Sequence, residues 1–413
     1  MKLFLAELRQ IFSAGFLLAA ALAGAVYACV LIVHSDNMLQ TYLSSSSGPI
    51  ASNTDIEKRL ADSVLEDGRT AVTENDLEAL SEDVAITKEL DAFFRKTEAF
   101  HPYGVASLED YKQLEKDWSE ASVKETSGAP DDPALSSLSE RLEKVQEIIA
   151  SSGKEYEIQN GIFIENILDS IRDEYAGRHE PSSYVKELYP SEEQKARLQE
   201  IYSGPMDSPA FSMLQVALTT GLVMPFTLFS CFLFSFLFVP AVWKNRSRNI
   251  HYLQYSSAAG RNVLRAQYLA ALAACLLLLT IFLIPVLCLM AQYGILRYFP
   301  LPVSGFLSGT YLWFDMNIGT YFSLMVLLTY VLCAGLSLLS MCISRLCRNF
   351  VACVACSLPL FAAVVAIGEQ IFNATLSLYS PKLTETYLTG FLLFLGIAGA
   401  AFLSHREKTL DIA

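Results

Sequence analysis

The sequence predicts an all-α protein with six transmembrane helices and a helical extracytoplasmic domain inserted after the first of them. Two observations carry this expectation. Strongly apolar runs occupy residues 14–33, 213–239, 264–291, 318–343, 350–372 and 387–403, each close to or above the ~20 residues that cross roughly 30 Å of hydrocarbon. Between the first and second runs lie about 175 mostly polar residues with helix-period apolar stripes and few β-branched alternations.

The chain begins with a short basic segment. Leu5, Leu8 and Phe12, with Phe4 and Ile11 beside them, share one helical face, while Lys2, Glu7, Arg9 and Gln10 sit mostly away from it. This is the pattern of a helix lying in the inner membrane interface; a plain extension of the first span is the alternative. The apolar stretch that follows is too long for a signal-peptide core, and no small-residue cleavage site ends it clearly.

Orientation follows from the basic residues, which stay on the cytoplasmic side near span ends. Lys244, Arg246, Arg248, Arg261 and Arg265 flank the segment between spans two and three, and Arg345 and Arg348 that between spans four and five. With Lys2, Arg9, Arg406 and Lys408 at the termini, all lie on one side if there are six spans, so both termini are expected in the cytoplasm. Residues 35–210 then lie outside. They hold 37 Asp and Glu against 17 Lys and Arg, a net charge of −20 in a chain of net charge −13. The acidity belongs to the outer domain alone, and the remainder is basic. Such a balance describes a soluble head on a basic-inside membrane body and gives no reason to invoke nucleic acid.

The expected organisation is an interfacial helix and first span (1–34), an extracytoplasmic helical domain (35–210), five further spans (211–404) with a cytoplasmic loop at 243–263, and a cytoplasmic tail (405–413). Within 35–210, capping pairs recur at Thr73 with Asp76, Ser107 with Asp110, and Ser191 with Gln194, and Pro133 suits a first helical turn. Leu135, Leu138, Leu142, Val145 and Ile149 form one apolar stripe, and Ile158, Ile162, Ile167, Leu168 and Ile171 another. Loops are expected at 44–49, 127–133 and 177–183. All nine cysteines fall in spans or in the cytoplasmic loops, so the outer domain must be held by its own core. That is consistent with a bacterial plasma-membrane protein. Cys353 and Cys356 have redox spacing but lie in an apolar run, where small packed side chains are the plainer reading.

The chemistry is mostly negative. Five scattered histidines offer no ligand spacing, no nucleophile motif is present, and Gly153-Lys154 lacks the upstream glycines of a phosphate loop. No catalytic residue, metal or cofactor is therefore assigned to this chain. Pro225 and Pro285 are expected to kink their spans. Glu369, near the outer end of the fifth span, is the one carboxylate at apparent membrane depth, with Asp315 in the preceding outer loop. Either it belongs to a pathway or gate, or it snorkels at the interface. Phe226, Phe229, Phe232, Phe234, Phe236 and Phe238 either face lipid or line a route for an amphiphilic cargo, with Phe226 and Phe229 as the pathway candidates.

The segment Leu253-Gln254-Tyr255-Ser256-Ser257-Ala258-Ala259-Gly260-Arg261-Asn262-Val263-Leu264-Arg265-Ala266-Gln267 resembles the stretch after the second span in permease subunits of type-2 ABC exporters. There a short amphipathic helix, a small-residue turn, an Arg and an apolar re-entry form the coupling helix that touches the ATPase. The six spans, the interfacial start and a re-entrant-looking stretch around 373–385 resemble that family too. Family members often carry an acidic residue and a glycine where Asn245 and Asn249 stand, and often a Lys at Gln267. The resemblance implies that Asn249, Leu253, Tyr255, Ser256 and Arg261 couple to an ATPase. It further implies a cytoplasmic ABC ATPase dimer holding the ATP and Mg, a second permease subunit (identical or related), and surrounding lipid as partners. The implied function is export of an amphiphilic peptide, drug or lipid. A protein that moves its outer domain to regulate a partner without transport is the alternative, and a membrane scaffold without an ATPase a third reading.

Overall fold

The computed structural model describes residues 2–43, 53–82, 85–126, 133–239, 263–347, 349–374 and 376–409. Among them there is no strand, only helices, turns and isolated bridges. The chain divides into two compact units, Ser45–His179 and the combination of Met1–Ser44 with Glu180–Ala413.

The larger unit contains α1 (Lys2–Ile11), α2 (Ala14–Leu43) and, after the smaller unit, the rest of the chain. The smaller unit holds α3 (Asn53–Glu66), α4 (Glu74–Glu82), α5 (Ala85–Lys96), α6 (Leu108–Thr126), α7 (Pro133–Ser152) and α8 (Glu155–Gly177). Its main core gathers Leu90, Phe94, Phe100, Tyr111, Leu142, Val145, Ile149 and Ile158. Phe94 stacks on Tyr111 with ring centroids 5.4 Å apart and packs against Phe100 at 5.0 Å. Both expected stripes point inward at Leu142, Val145 and Ile149, and at Ile158, Leu168 and Ile171. The caps form as their side chains require. Asp76 Oδ2 accepts from the Thr73 backbone at 2.7 Å, and the Asp110 backbone N–H donates to Ser107 Oγ at 3.2 Å. Arg69 clamps Asp76 at 2.6 Å, holding its carboxyl down at about 2.

After the smaller unit come α9 (Ser183–Leu188), α10 (Glu192–Ser203), α11 (Ser212–Phe236), α12 (Val263–Gln292), α13 (Ile318–Leu346), α14 (Phe350–Ala374) and α15 (Thr384–Thr409). Six helices, α2 and α11 to α15, are long and apolar enough to cross a membrane, and the chain is a multi-pass membrane protein by that measure. The α1 helix is separate from the first span, as the amphipathic pattern predicts, with a break at residues 12–13.

α13 is the hub, packing against α11, α12, α14 and α15. Hydroxyls tie α11 and the residues just after it to α13 at three levels: Thr227 to Thr329 at 2.6 Å, Ser340 to the Ser235 carbonyl at 2.9 Å, and Ser344 to the Val239 carbonyl at 3.0 Å. In hydrocarbon, where no water competes, such bonds and close small-residue packing replace the hydrophobic effect as the source of helix association. Pro225 sits just beyond a π-helical stretch, Ala217–Val223, in α11. Proline lacks the N–H that would serve the carbonyl four residues back. The Gly221 carbonyl accepts instead from Ser35 Oγ of α2, so the irregularity is used to join two spans.

The sequence places the outer-domain boundary at 210, yet residues 180–210 belong with the larger unit. Tyr189, Leu198, Ile201, Tyr202 and Met206 form one buried cluster with Trp313 and Leu378. Polar composition concealed this, because α10 presents a narrow apolar stripe on an otherwise charged helix.

Candidate functional site

The residues expected to couple to an ATPase, Asn249, Leu253, Tyr255, Ser256 and Arg261, lie outside the described residues. What can be placed is the helix that follows them. α1 packs along α12, and the buried Glu7 carboxylate accepts a hydrogen bond from Gln267. Burial pushes the Glu7 carboxyl above its usual range, with the Gln267 bond opposing it. Glu7 was expected away from the apolar face, and Leu5 on it. Instead Glu7 and Ile11 are buried against the protein, while Leu5 is exposed. The helix therefore turns Glu7 and Ile11 towards the protein and Leu5, Ala6, Arg9 and Gln10 outward, a division that a single-stripe reading merges.

The two pathway candidates on α11 are interior packing residues. Phe226 is fully buried. Phe229 stacks on Tyr27 of α2 with centroids 4.5 Å apart, and both meet Phe282 of α12 edge-on. Gly24 leaves the room for this triad, since a Cβ there would lie 3.0 Å from the Phe282 ring. Of the remaining phenylalanines, Phe234 and Phe238 are buried and Phe232 is exposed, packing beside Phe361 of α14. The phenylalanine-rich face thus splits between core and exterior. Glu369 is exposed on α14. The structure does not gather these three residues into one site.

More deeply buried than Glu7 is Glu385, in the first turn of α15, at 1% exposure. Its carboxylate accepts from the backbone N–H groups of Leu376 and of Glu385 itself, while Oε2 has no partner. An acid in the first turn of a helix is favoured by the helix dipole and the free N–H groups. That position was the available sequence signal. The loop it anchors, 376–383, is flanked by Leu376 and Leu383, both at positive φ (52° and 63°) without being glycine. Such a backbone persists only where surrounding contacts over-determine it.

Those contacts build a cap over this end of the spans. Trp313 N–H donates to the Leu376 carbonyl and Leu378 N–H to the Tyr311 carbonyl, each at 2.9 Å, around the bridge between Leu312 and Ser377. The expected re-entrant stretch at 373–385 is therefore the end of α14 followed by a loop paired to residues 311–313. Trp313 Nε1 donates to the Ser380 carbonyl at 2.8 Å. From α10, Gln194 Nε2 donates to the Leu378 carbonyl at 2.6 Å, and Arg197 bridges the Leu312 carbonyl and Asp315. Gln194 also closes the predicted capping box with Ser191, so one side chain starts α10 and fastens it to the loop. Tyr189 lies within 6.0 Å of Tyr311 and 5.0 Å of Tyr379, and burial raises its phenol. Beneath the cap, a void of about 10 Å³ between Phe211, Leu214, Val303 and Tyr321 has room for one water at most.

Cys353 is buried, with Sγ 4.0 Å from the Ser344 carbonyl, whereas Cys356 is exposed with Sγ 3.9 Å from that of Cys347. The two members of the redox-spaced pair thus have different neighbours. Among the described residues no group of three His, Cys, Asp or Glu side chains could hold a metal ion.

No protein-family model, curated protein or solved structure matches this chain. What it does must be argued from its own residues.

Proposed function

We infer that this chain is the membrane subunit of an ATP-driven exporter of the type-2 ABC class, moving an amphiphilic peptide, drug or lipid. A separate cytoplasmic ATPase dimer hydrolyses the ATP, and a second permease subunit completes the pathway. The chain sits in a bacterial plasma membrane with both termini inside and residues 35–210 outside. The observation that carries this reading is the packing of amphipathic α1 along α12, directly after the basic segment 243–261. A push on that segment reaches α12 and, through Glu7 and Gln267, the interfacial helix together. Closure of an ATPase dimer then rocks spans as rigid bodies, with no chemistry in this chain.

A second reading has its own support. The interhelical hydroxyl ladder and the hydrogen-bonded cap suit a protein that transmits force outward to regulate a partner, with nothing crossing. Both readings need the ATPase. The test is to replace Tyr255 and Arg261 together by Ala, solubilise host membranes in mild detergent, and identify co-purifying ATPase by mass spectrometry. The parent chain retains an ABC ATPase and the double variant inserts normally but loses it. A variant that keeps its ATPase, or a parent that never captures one, overturns the assignment.

A further inference from the structure

The smaller unit carries a groove of about 500 Å³ between α6 and α7, lined by Glu115, Trp118, Ser139, Leu142, Glu143 and Gln146. Each lining group contributes something different. Trp118 donates from Nε1 to Ser139 Oγ at 3.0 Å, which holds the indole in place, yet it remains 37% exposed. Held but not covered, the indole leaves part of its surface open to a ligand. Leu142 supplies a buried apolar floor. Glu115 has Oε1 fixed by the Tyr111 hydroxyl at 2.8 Å, and Tyr111 is itself buried and hydrogen-bonded to Gln146. Glu143 stands on the opposite wall. Among the described residues neither carboxylate forms a direct ion pair, Lys144 bonding Glu147 and acting on Glu143 only through its field, whereas several other carboxylates of this unit are directly paired.

A partly open indole, two carboxylates outside any direct ion pair and an apolar floor are together the complement of one chemical group: a cation on a methylene stem. The ammonium or guanidinium meets the indole face and the carboxylates, and the stem covers the floor. The surroundings favour the same sign of ligand, since residues 45–179 hold 30 acidic against 14 basic side chains. That field concentrates polycations at the surface before any specific contact forms.

We propose that this groove binds the basic side chains of a cationic peptide. The inference deepens the exporter reading by naming the class of cargo, or of ligand in the force-transmitting version, and rests on that reading only for the biological role. Binding itself needs no ATPase, so failure of the co-purification experiment and failure of this one are separate results.

The test uses the full chain in a neutral maltoside detergent, titrated calorimetrically at low ionic strength with tetralysine amide, tetraserine amide and choline. Tetralysine binds saturably and tetraserine does not. Trp118→Ala weakens tetralysine by about tenfold, the scale of a partly desolvated cation–π contact, and Trp118→Phe weakens it less. The double variant Glu115→Gln with Glu143→Gln also weakens it about tenfold. The pair Glu66→Gln with Glu98→Gln, which removes the same charge from exposed sites elsewhere on the unit, changes it by less than about twofold. The proposal is overturned if the control pair weakens binding as much as the groove pair, because the effect is then unspecific charge. It is overturned if Trp118→Phe and Trp118→Ala both bind as the parent does. Choline binding as tightly as tetralysine overturns it in favour of a lipid headgroup.

Discussion

Gly335 offers the sharpest test of how the spans are held together. α13 and α15 make the closest helix pair in the larger unit, and Gly335 and Gly396 face each other across it. A Cβ at 335 would lie 2.9 Å from the Leu393 nitrogen, 3.0 Å from the Leu392 carbonyl carbon and 3.1 Å from the Leu393 Cα. All three are backbone atoms, so no side chain can swing away to make room. The helices must part by about 0.5 Å, and a gap of that size forfeits a quarter or more of the dispersion at neighbouring contacts. Overpacking of this kind costs about 1–3 kcal/mol. Gly390, on the same α15, has nothing within 4 Å of its would-be Cβ and serves as the control. Alanine at either site gains the same helix propensity, about 1 kcal/mol, so the comparison cancels that term. Gly335→Ala should therefore denature several degrees below Gly390→Ala in thermal scans of detergent-solubilised protein. If Gly335→Ala is as stable as Gly390→Ala, the small-residue seam is not what joins these helices, and the account of the bundle fails.

Two titratable groups give further expectations. Asp76 is held at about 2 by Arg69, below its ordinary 3.8, so its contribution is complete above roughly pH 4 and fades as pH falls towards 2. Asp76→Asn should cost the smaller unit about 2 kcal/mol at most at neutral pH, read by chemical denaturation, and the gap to the parent should close in acid. Glu7 is shifted the other way, raised by burial; folding then favours its protonated form, and stability is lost as pH rises above roughly 4.5. Glu7→Gln keeps a hydrogen-bonding partner for Gln267 and removes that cost, so it should raise the denaturation midpoint at pH 7 and leave it unchanged at pH 4. A lower midpoint at pH 7 would show that the charge is held by a partner this account omits.

The spans and the inward stripes of the smaller unit were legible because both are periodic properties of consecutive residues. Pro133, Ser191 and Gln194 were legible because caps act over three or four positions. The cap over the spans was not, since its bonds join residues far apart in the chain: Gln194 with Leu378, Arg197 with Asp315, Trp313 with Ser380. The sequence points to Glu369 ahead of Glu385 for a related reason. Depth in a hydropathy profile says how apolar the neighbours in sequence are, whereas burial depends on which helices close around the side chain. α15 packs closely on α13 and buries Glu385, while α14 lies at the margin and leaves Glu369 exposed.

The same packing restricts where a cargo route can run. Between α11, α12 and α13 the interior is filled by Phe226, Phe234, Cys231, Cys275, Leu279, Leu332 and Cys333, all nearly inaccessible, with the Thr227 to Thr329 bond among them. Opening a path there would break that bond and expose close-packed surface, whose loss the neighbouring helices cannot make good. α2, α14 and α15 are the least buried spans. Tyr387, Phe391 and Phe394 line a shallow apolar recess on α15. If this chain exports a substrate, the route follows those outer faces, between this subunit and another, and the pathway residues are to be sought on α2, α14 and α15, away from Phe226 and Phe229.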